Sequence, residues 1–567
     1  MGIDPNLRWE AESSTRYLCV GAEIDSDFAH EVIEAVLEER YQAVAPSFGI
    51  DLVPVVRHAL NGRRRRTTRD LTVAALAAVN LLLNPVGSVA TVVAWLVTRF
   101  FYRRARLRWP QWGTRNALAV GAIAYATIGA LLGLMVVLPA AALGVAAGTS
   151  SPGLARLLTS LLRIASIGSV LSLLAVWGVV LWERLATRSV LVDTLRWDTY
   201  DPARRSVRVD LDPRAQQRLQ VIDEMQRRHN VTAYSGFFPF LGAGGELRTW
   251  SFGIDLTRGT PGFAMDGQRP DGQQPPPFTI AELQAHVAQR LEALRSPDLD
   301  PAHRLGGLIV EDRLFIHGTH VWRDGRFLPD AWRPPLAWVE PAVLARIGDE
   351  PGGVVRHFKC ARVESWGREV VLSVFLHFAT DGRTLYVEQT ACLLPPIKTS
   401  YRIVDGMTRS LSTEELYGVL WATFKEVPAA LLRAPGELWR AWRSKRRERK
   451  QDSRLRAAIA EGLPVDYGAR VSVRELGAAD SCRIWFQQLD AAKHQKVIEL
   501  QVLNAILDFL ERHDVDTTEF RSRQASILNN NTVLVNGDMK DSQVAVGTAA
   551  TATGTPTPAA AAGPSKR

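Results

Sequence analysis

A glycine-rich loop is the first feature of this 567-residue sequence whose residue types could do chemistry. Three of the four residues from 242 to 245 are glycines, and Arg248 follows closely. Successive backbone amides in such a loop can surround an anion, and a guanidinium adds positive charge. No Gly-Lys-Ser/Thr follows, so the loop is neither a P-loop nor a dinucleotide-binding fingerprint. The pattern predicts a ligand-binding loop of Gly242, Gly244, Gly245 and Arg248; the alternative is a plain turn between strands.

A pair of histidines is the second candidate. His317 and His320 could place two imidazoles near one metal ion, with a third ligand from His303 or Asp312. The spacing is unspecific, and a surface turn explains it equally well. We therefore predict no metal site.

The cysteines offer little catalytic chemistry. Cys360 could pair with His357 or His377, but nothing in the sequence fixes their geometry. The four cysteines lie far apart without a CxxC pair, which indicates a reducing compartment. No GxSxG, HExxH or kinase motif is present. We predict no catalytic residue and no cofactor, which leaves enzymatic activity uncertain and favours a protein that is not an enzyme.

Long uncharged runs are concentrated in residues 63–189. Residues 71–98 are too long for one crossing and too short for two, so they predict a re-entrant hairpin; the alternative is one tilted crossing. Residues 116–138 and 164–182 are each long enough to span a bilayer. Gly129 and Gly133 have the spacing of a helix-packing motif.

Arginines flank these runs and predict their orientation. Clusters precede and follow residues 71–98: Arg63, Arg64, Arg65, Arg66 and Arg69, then Arg99, Arg103, Arg104, Arg106 and Arg108. Because basic residues stay on the cytoplasmic side, we expect a multi-pass protein of the inner membrane with both termini cytoplasmic. No Asp, Glu or Lys lies within the spans, which argues against a transporter.

Residues 190–425 predict the main cytoplasmic domain. Strand-like runs occur at 206–210, 249–256, 307–316, 370–378 and 385–392, and helical patterns occur at 213–228 and 280–294. Asp381-Gly382-Arg383 predicts a hairpin turn between the last two strands. Residues 1–62 form a smaller α/β segment, in which Asp25, Ser26 and Asp27 can cap a helix. The predicted fold class is an α-helical membrane module plus an α+β cytoplasmic domain with an antiparallel sheet.

Residues 426–456 combine tryptophans with many basic residues, and the net charge of the whole chain is +9. Such a segment is typical of the lipid headgroup layer. The alternative is a solvated basic linker; no nucleic-acid motif is present. We therefore predict an anionic bilayer as partner, contacted through a membrane-interface set: Trp439, Trp442, Arg443, Lys445, Arg446 and Arg447.

The C-terminal part divides into two segments. Residues 457–526 predict a small helical or α+β domain whose leucine-rich helix packs inside it rather than forming a coiled coil. Residues 527–567 predict a β-prone motif, with a turn at Asn536-Gly537-Asp538, and a disordered end from Thr548. We expect a homo-oligomer formed through the spans or this tail.

Several stretches resemble a known group of sequences: VDTTEFRSRQASILNNN with the tail, NVTAYSGFFPFLGAGGELRTWSF from Asn230, and RYLCVGAEIDSDF from Arg16. They look like uncharacterised actinobacterial multi-pass membrane proteins, a resemblance that implies no known activity. The tail also loosely resembles amyloid-forming motifs of bacterial signalling proteins. Gln543-Val544-Ala545-Val546-Gly547 departs from the V-Q-V-G core of those motifs.

Together these features predict a membrane-anchored signalling or scaffold protein that binds an unknown ligand or partner and whose tail self-assembles. Two alternatives stay open: a membrane-perturbing, pore-forming effector, and a membrane-bound enzyme acting on lipid or nucleotide at the glycine-rich loop.

Overall fold

The structure of this protein is a computed structural model that describes residues 5–83, 152–202, 209, 211–256, 278–301, 303–349 and 353–529. The predicted span at 116–138 lies outside the described residues, as do most of the predicted hairpin, four of the five residues of the strand-like run at 206–210, and the tail beyond residue 529.

Five helices precede the first strand of the described chain. They are α1 (Pro5–Ile24), α2 (Ser26–Val32), α3 (Leu52–Leu83), α4 (Pro152–Val190) and α5 (Pro213–Arg227). Short π-helical turns, Ile33–Glu38 and Leu191–Leu195, extend α2 and α4. The Asp25 side chain accepts hydrogen bonds from the backbone amides of Asp27 and Phe28, so the predicted helix cap is confirmed.

Seven further helices are described downstream. They are α6 (Ile280–Glu292), α7 (Gly318–Val321), α8 (Pro341–Gly348), α9 (Thr413–Ala460), α10 (Val473–Leu476), α11 (Trp485–Arg512) and α12 (Thr518–Asn529). Turns of 3-10 helix follow α6 at Ala293–Arg295 and precede α9 at Thr399–Gly406. Ser412 and Glu415 form a capping box at the start of α9, which fixes where this long helix begins.

Six strands form one sheet. They are β1 (Val231–Tyr234), β2 (Gly245–Asp255), β3 (Leu308–His317), β4 (Val355–Ser365), β5 (Val370–Thr380) and β6 (Thr384–Leu394). Their order is β1-β3-β4-β5-β6-β2, with β1 parallel to β3 and every other pair antiparallel. The predicted hairpin turn at Asp381-Gly382-Arg383 is confirmed: Gly382 has φ +89°, and the Asp381 side chain accepts from the backbone amides of Arg383 and Thr384.

The sheet is covered on both faces because its central strands are apolar on both sides. All of the first nine residues of β5 are buried. One face packs on α6 and α11, through residues such as Leu372, Leu283 and Leu503. The other face carries a small aromatic core in which Phe240 stacks on Phe375, with ring centroids 4.3 Å apart.

Three helices form what we call the stalk: residues 66–83 of α3, residues 167–190 of α4 and residues 413–442 of α9. Helices α3 and α4 run antiparallel, since Ser172 donates to the Leu76 carbonyl (3.0 Å) and Arg69 pairs with Glu183 (3.4 Å). A small core holds all three helices together: Val73, Val176, Val180, Val427 and Ala434.

The prediction of a multi-pass membrane module is wrong. Among the described residues, one stretch, Ile167–Leu195, is long and apolar enough to cross a bilayer. Residues 71–83, predicted to begin a re-entrant hairpin, instead complete α3, which starts inside the body at Leu52. Asn80, inside the predicted hairpin, lies within α3 and accepts a hydrogen bond from the Ser169 hydroxyl. The predicted multi-pass location in the inner membrane, with both termini cytoplasmic, rested on that topology and is wrong as well.

The predicted α+β class with an antiparallel sheet is also wrong, because the described fold is α/β with a mixed sheet. The difference comes from β1, a four-residue strand that joins the edge of β3 in parallel. The proposed division into segments at 62, 189, 425, 456 and 526 stays a prediction. Helix α3 runs through the first boundary and α9 through the third and fourth.

Candidate functional site

The glycine-rich loop has a backbone that only glycine adopts easily. Gly242 and Gly244 have φ values of +92° and +87°. A Cβ at Gly242 would lie 2.4 Å from the Pro46 carbonyl oxygen, and one at Gly244 would lie 2.1 Å from that of Leu393. The loop is therefore clamped between the segment before α3 and the end of β6, which holds its amides in fixed directions.

The amides of this loop do bind an anion, and the anion belongs to the chain itself. The backbone N–H groups of Gly242 and Gly244 donate to one carboxylate oxygen of Glu475, at 2.8 and 2.9 Å. Burial raises the pKa of Glu475, although the two amide bonds act in the opposite direction. Glu475 lies on α10, whose preceding Ser472 donates to the Pro46 carbonyl (3.1 Å) and so ties the helix to the same clamp.

Arg248 is also engaged within the protein. Its guanidinium donates to Glu499 (3.2 Å) and to the Ile527 carbonyl (2.7 Å), so it joins β2 to α11 and to the end of α12. Glu499 is buried and further accepts from Trp250 (2.6 Å) and Gln389 (3.2 Å). Burial raises the pKa of Glu499 against the opposing effect of Arg248. This network secures the C-terminal helices to the sheet.

A cavity of about 620 Å³ opens beside the loop, and we call it the loop cavity. Gly244, Gly245 and Arg248 line it, whereas Gly242 does not. The walls come from the end of β6, the residues after α10 and the first turns of α11, which contribute Leu394, Ala479, Asp480, Cys482, Gln488, Ala492 and Lys496 among others. The structure thus brings three of the four predicted ligand-loop residues to one cavity, and their binding role stays a prediction.

The chemistry of the loop cavity suits binding better than catalysis. Burial raises the pKa of the Cys482 thiol, so the thiol stays protonated and weakly nucleophilic near neutral pH. Burial and the neighbouring charge of Arg248 lower the pKa of Lys496. The lining combines apolar side chains with three basic residues (Arg248, Arg470 and Lys496) and three acidic ones (Glu246, Glu475 and Asp480), so it offers both hydrogen-bond donors and acceptors to a ligand.

The histidine pair does not gather a metal-ligand set. His317 and His320 both hydrogen-bond the Thr319 hydroxyl, at 2.7 and 3.3 Å. Asp312 instead pairs with Lys359 and with His357, and His303 is exposed on a turn. Within the described ranges, no three His, Cys, Asp or Glu side chains lie together as metal ligands would.

Cys360 is a core residue. It is fully buried in the aromatic core, and burial raises its pKa to about 12. His357 lies three residues away on the same strand and therefore faces the opposite side of the sheet. The His377 ring donates from Nδ1 to the His357 carbonyl oxygen (2.8 Å), and no hydrogen bond joins it to the Cys360 thiol in the described part of the chain.

The six predicted membrane-interface residues, from Trp439 to Arg447, lie on α9. Trp439 and Trp442 are more than half exposed, and the basic residues beside them are exposed too. Arg443 lies 5.0 Å from the centroid of the Trp439 ring, and Arg446 lies 5.4 Å from that of Trp442. This face of α9 is therefore a row of tryptophan–arginine pairs open to solvent.

Sequence reasoning missed Glu475, Cys482 and Lys496, which lie more than 200 residues beyond the loop that they face. The Val-Arg-Glu-Leu run around Glu475 carries no pattern that points to Gly242. The available local signal was the unusual density of glycines, which indicated that amides there surround a negative charge but could not identify its source.

Comparison with known proteins places the chain in a family. A family model described as "AbeC-like domain" matches residues 249–543, slightly more than half of the chain. The match begins within β2 and includes β3 to β6, the loop-cavity residues on α11, and α12, whereas β1 and the glycine-rich loop precede it. Searches of curated proteins and of solved structures found no match. The chain therefore belongs to the family of proteins with an AbeC-like domain.

Proposed function

We propose that this protein is a scaffold that associates with anionic lipid surfaces through its stalk and binds a small ligand or partner with its α/β body. The observation that carries the proposal is the exposed apolar surface at one end of the stalk, together with the exposed tryptophan–arginine row of α9 toward the body. Such a combination is typical of proteins that dip apolar side chains below the headgroups while cations contact lipid phosphates.

The apolar surface lies on the ends of α3 and α4. Leu82 is 84% exposed and Leu171 is 60% exposed, and their neighbours are open as well: Val79, Leu81, Leu83, Ile167, Val170 and Leu174. Only 22% of the most apolar part of Ile167–Leu195 is buried, whereas a core helix of that hydropathy would be mostly buried. Exposed apolar patches of this kind mark interaction surfaces.

The basic residues lie where the stalk meets the body. Helix α9 crosses this level: its Thr423 hydroxyl accepts from the Trp177 indole (3.2 Å), and its Glu448 interacts electrostatically with Arg63. The exposed Trp–Arg row of α9 is thus near the arginines of α3 and distant from the apolar end of the stalk. Each basic residue near an anionic surface adds about 1 kcal/mol to binding.

Flotation of the purified full-length chain with vesicles tests this proposal. We expect the protein to float with vesicles of phosphatidylcholine and phosphatidylglycerol, and less with phosphatidylcholine alone. Added salt should weaken the first interaction because it screens the basic residues. A chain that stays in the aqueous fraction with both vesicle types would refute the proposal.

Two variants separate the apolar from the electrostatic contribution. Leu82→Asp should weaken binding to both vesicle types roughly tenfold or more, because burying one leucine contributes about 1.5–3 kcal/mol. Replacing Arg443, Arg446 and Arg447 by Gln should weaken binding to anionic vesicles only. Leu463→Asp, at a leucine of the body that is also well exposed (50%), is the control and should change neither.

Dye-filled vesicles distinguish the scaffold from a pore-forming effector. The scaffold leaves the dye inside at protein concentrations that saturate binding. Release of the dye in proportion to bound protein would favour the effector.

We include tail-mediated self-assembly in the proposal. The family match continues to residue 543, past the end of α12, which supports a role for residues 530–543 within the domain. Removing residues 530–567 should reduce the size of lipid-bound assemblies without changing vesicle binding. Assemblies of unchanged size after this deletion would refute the role of the tail.

A further inference from the structure

A second cavity, of about 660 Å³, lies on the face of the sheet opposite α11. We call it the arginine cavity. It is formed where the segment before α3, the residues after α5 and the strands β3 and β4 meet. Phe48, His229 and Arg362 are among the side chains that line it. Its volume is in the range of cavities that take small organic ligands.

Phe48 organises the charged side chains around this cavity. The guanidinium carbons of Arg362 and Arg313 lie 4.3 and 5.1 Å from the centroid of its ring, and the His229 ring lies 5.9 Å away. Phe48 itself is buried, so both cations are held against an aromatic face and away from bulk water.

The carboxylates at this site satisfy only part of the guanidinium hydrogen-bonding capacity. Glu311 accepts from Nε and Nη2 of Arg313, at 3.2 and 2.7 Å. Arg362 forms looser ion pairs, 3.7 Å from Glu311 and 3.6 Å from Glu364. Glu364 is also paired with Arg368, at 2.9 Å. The acids are therefore shared between cations.

Three buried nitrogen atoms have no hydrogen-bond partner among the described residues: Nη1 of Arg313, Nε of Arg362 and Nε2 of His229. Arg313 is 1% exposed and Arg362 is 8% exposed, so water cannot replace the missing acceptors freely. Buried donors without acceptors destabilise a fold, and each such group in a native protein calls for an explanation. Arg362 and His229 line the cavity, so an acceptor bound there would lie beside two of these three side chains.

The charges around the cavity are balanced, because Arg227 pairs with Asp223, and the guanidiniums of Arg313, Arg362 and Arg368 are matched by the carboxylates of Asp51, Glu311 and Glu364. An anion would therefore be held by open hydrogen-bonding positions of the guanidiniums rather than by an excess of positive charge. Burial and the charges of Arg313 and Arg362 lower the pKa of His229 well below its usual value, which keeps the imidazole neutral and able to serve as a hydrogen-bonding group.

We propose that the arginine cavity binds a small phosphorylated organic molecule, whose phosphate occupies the space between Arg362 and His229. The rest of the ligand would pack on the apolar side chains of the wall, Ile50, Pro54 and Ile309. Guanidinium groups match the geometry and charge of a phosphate, which supplies several strong acceptor oxygens at once. This site is separate from the stalk and does not depend on lipid binding.

Titration of the full-length protein with phenyl phosphate, followed by phosphorus NMR and calorimetry, tests the proposal. We expect saturable binding of phenyl phosphate, weaker binding of inorganic phosphate, and no binding of phenol. Benzoate distinguishes a phosphate site from a general anion site: it should bind at least about tenfold more weakly, because it offers fewer acceptor oxygens. Equal binding of benzoate, or no saturable binding of phenyl phosphate, would overturn the proposal.

Variants then locate the binding. Arg362→Gln should weaken phenyl phosphate binding at least about tenfold. Because this change also releases Glu311 and Glu364, His229→Ala provides a second variant that leaves every ion pair in place, and it should weaken binding too. Arg333→Gln, at an exposed arginine on the body, is the matched control. Variants that fold normally by circular dichroism and bind as the control does would place the phosphate elsewhere and refute the assignment.

Discussion

The contact between Glu475 and the glycine-rich loop gives a prediction that can be worked out in detail. In Glu475→Ala, the amides of Gly242 and Gly244 lose their shared acceptor. The Gly242 amide is buried, and the Gly244 amide is partly accessible to water. An unsatisfied buried donor costs about 1–3 kcal/mol, so we expect a loss of about 2–4 kcal/mol in total. For a chain of 567 residues, whose unfolding entropy is about 1.2 kcal/mol/K, thermal unfolding should shift down by roughly 2–3 °C.

Glu475→Gln is the matched comparison because both amides donate to one oxygen atom, which the Gln side chain can supply. It should cost less than about 1 kcal/mol, since a neutral acceptor is weaker but no charge is buried. Differential scanning fluorimetry of both variants measures the shifts. If the Ala and Gln variants melt at the same temperature, Glu475 does not hold the loop as described.

The same pair of proteins gives a pH dependence with a definite sign. Burial raises the pKa of Glu475 above its ordinary value of 4.5. Between pH 4.5 and the raised pKa, the folded chain binds more protons than the unfolded chain. The contribution of Glu475 to stability therefore falls as the pH rises. The Gln variant lacks that loss. The melting temperature of the wild type minus that of Glu475→Gln should therefore decrease as the pH rises from 4 toward neutrality; an increase would refute the reasoning.

Three further predictions concern single positions. Gly244→Ala should destabilise the folded protein by more than about 2 kcal/mol, because Gly244 has a positive φ and its added Cβ would meet the Leu393 carbonyl. Gly245→Ala is the control: its added Cβ meets nothing within 4 Å, so this variant should melt like the wild type. Burial alone would raise the pKa of Asp312, but its hydrogen bonds and cationic neighbours lower that pKa to about 2. The contribution of Asp312 to stability is therefore present above pH 3.8 and lost as the pH falls toward 2. Acid unfolding of Asp312→Asn should accordingly show a shallower pH dependence in that window, and an unchanged profile would contradict this. Trp250→Phe removes an indole donor from buried Glu499 and should cost about 1.5–3 kcal/mol in urea unfolding; a loss below 0.5 would count against the network.

Sequence reasoning succeeded where structure depends on neighbouring residues. The turn at Asp381-Gly382-Arg383 follows from a glycine that tolerates positive φ and an aspartate that accepts from nearby amides. The helices at Pro213–Arg227 and Ile280–Glu292 were predicted nearly to the residue, because Asp212 and Thr279 cap them locally. Such local chemistry is fully written in a short stretch of sequence.

Reasoning from the sequence failed where distant parts of the chain supply the missing partner. Strand β1 is four residues long and is recognisable as a strand only through its pairing with β3. The glycine-rich loop was predicted to surround a bound anion, a role that stays a prediction, whereas the carboxylate that its amides contact, Glu475, lies 231 residues from Gly244. Residues 71–83 were assigned to a re-entrant hairpin, yet α3 continues through them, and the side-chain oxygen of Asn80 accepts from the Ser169 hydroxyl of α4.

Lipid contact by the apolar end of the stalk can be measured directly with a fluorophore at residue 82. In a Cys482→Ser background, cysteine at Leu82 or, as control, at Arg333 would carry the label, since the other three cysteines are buried. Our account predicts that vesicles with brominated acyl chains quench the label at 82 and leave the label at 333 unchanged. Quenching at 82 by aqueous iodide but not by brominated lipid would contradict it.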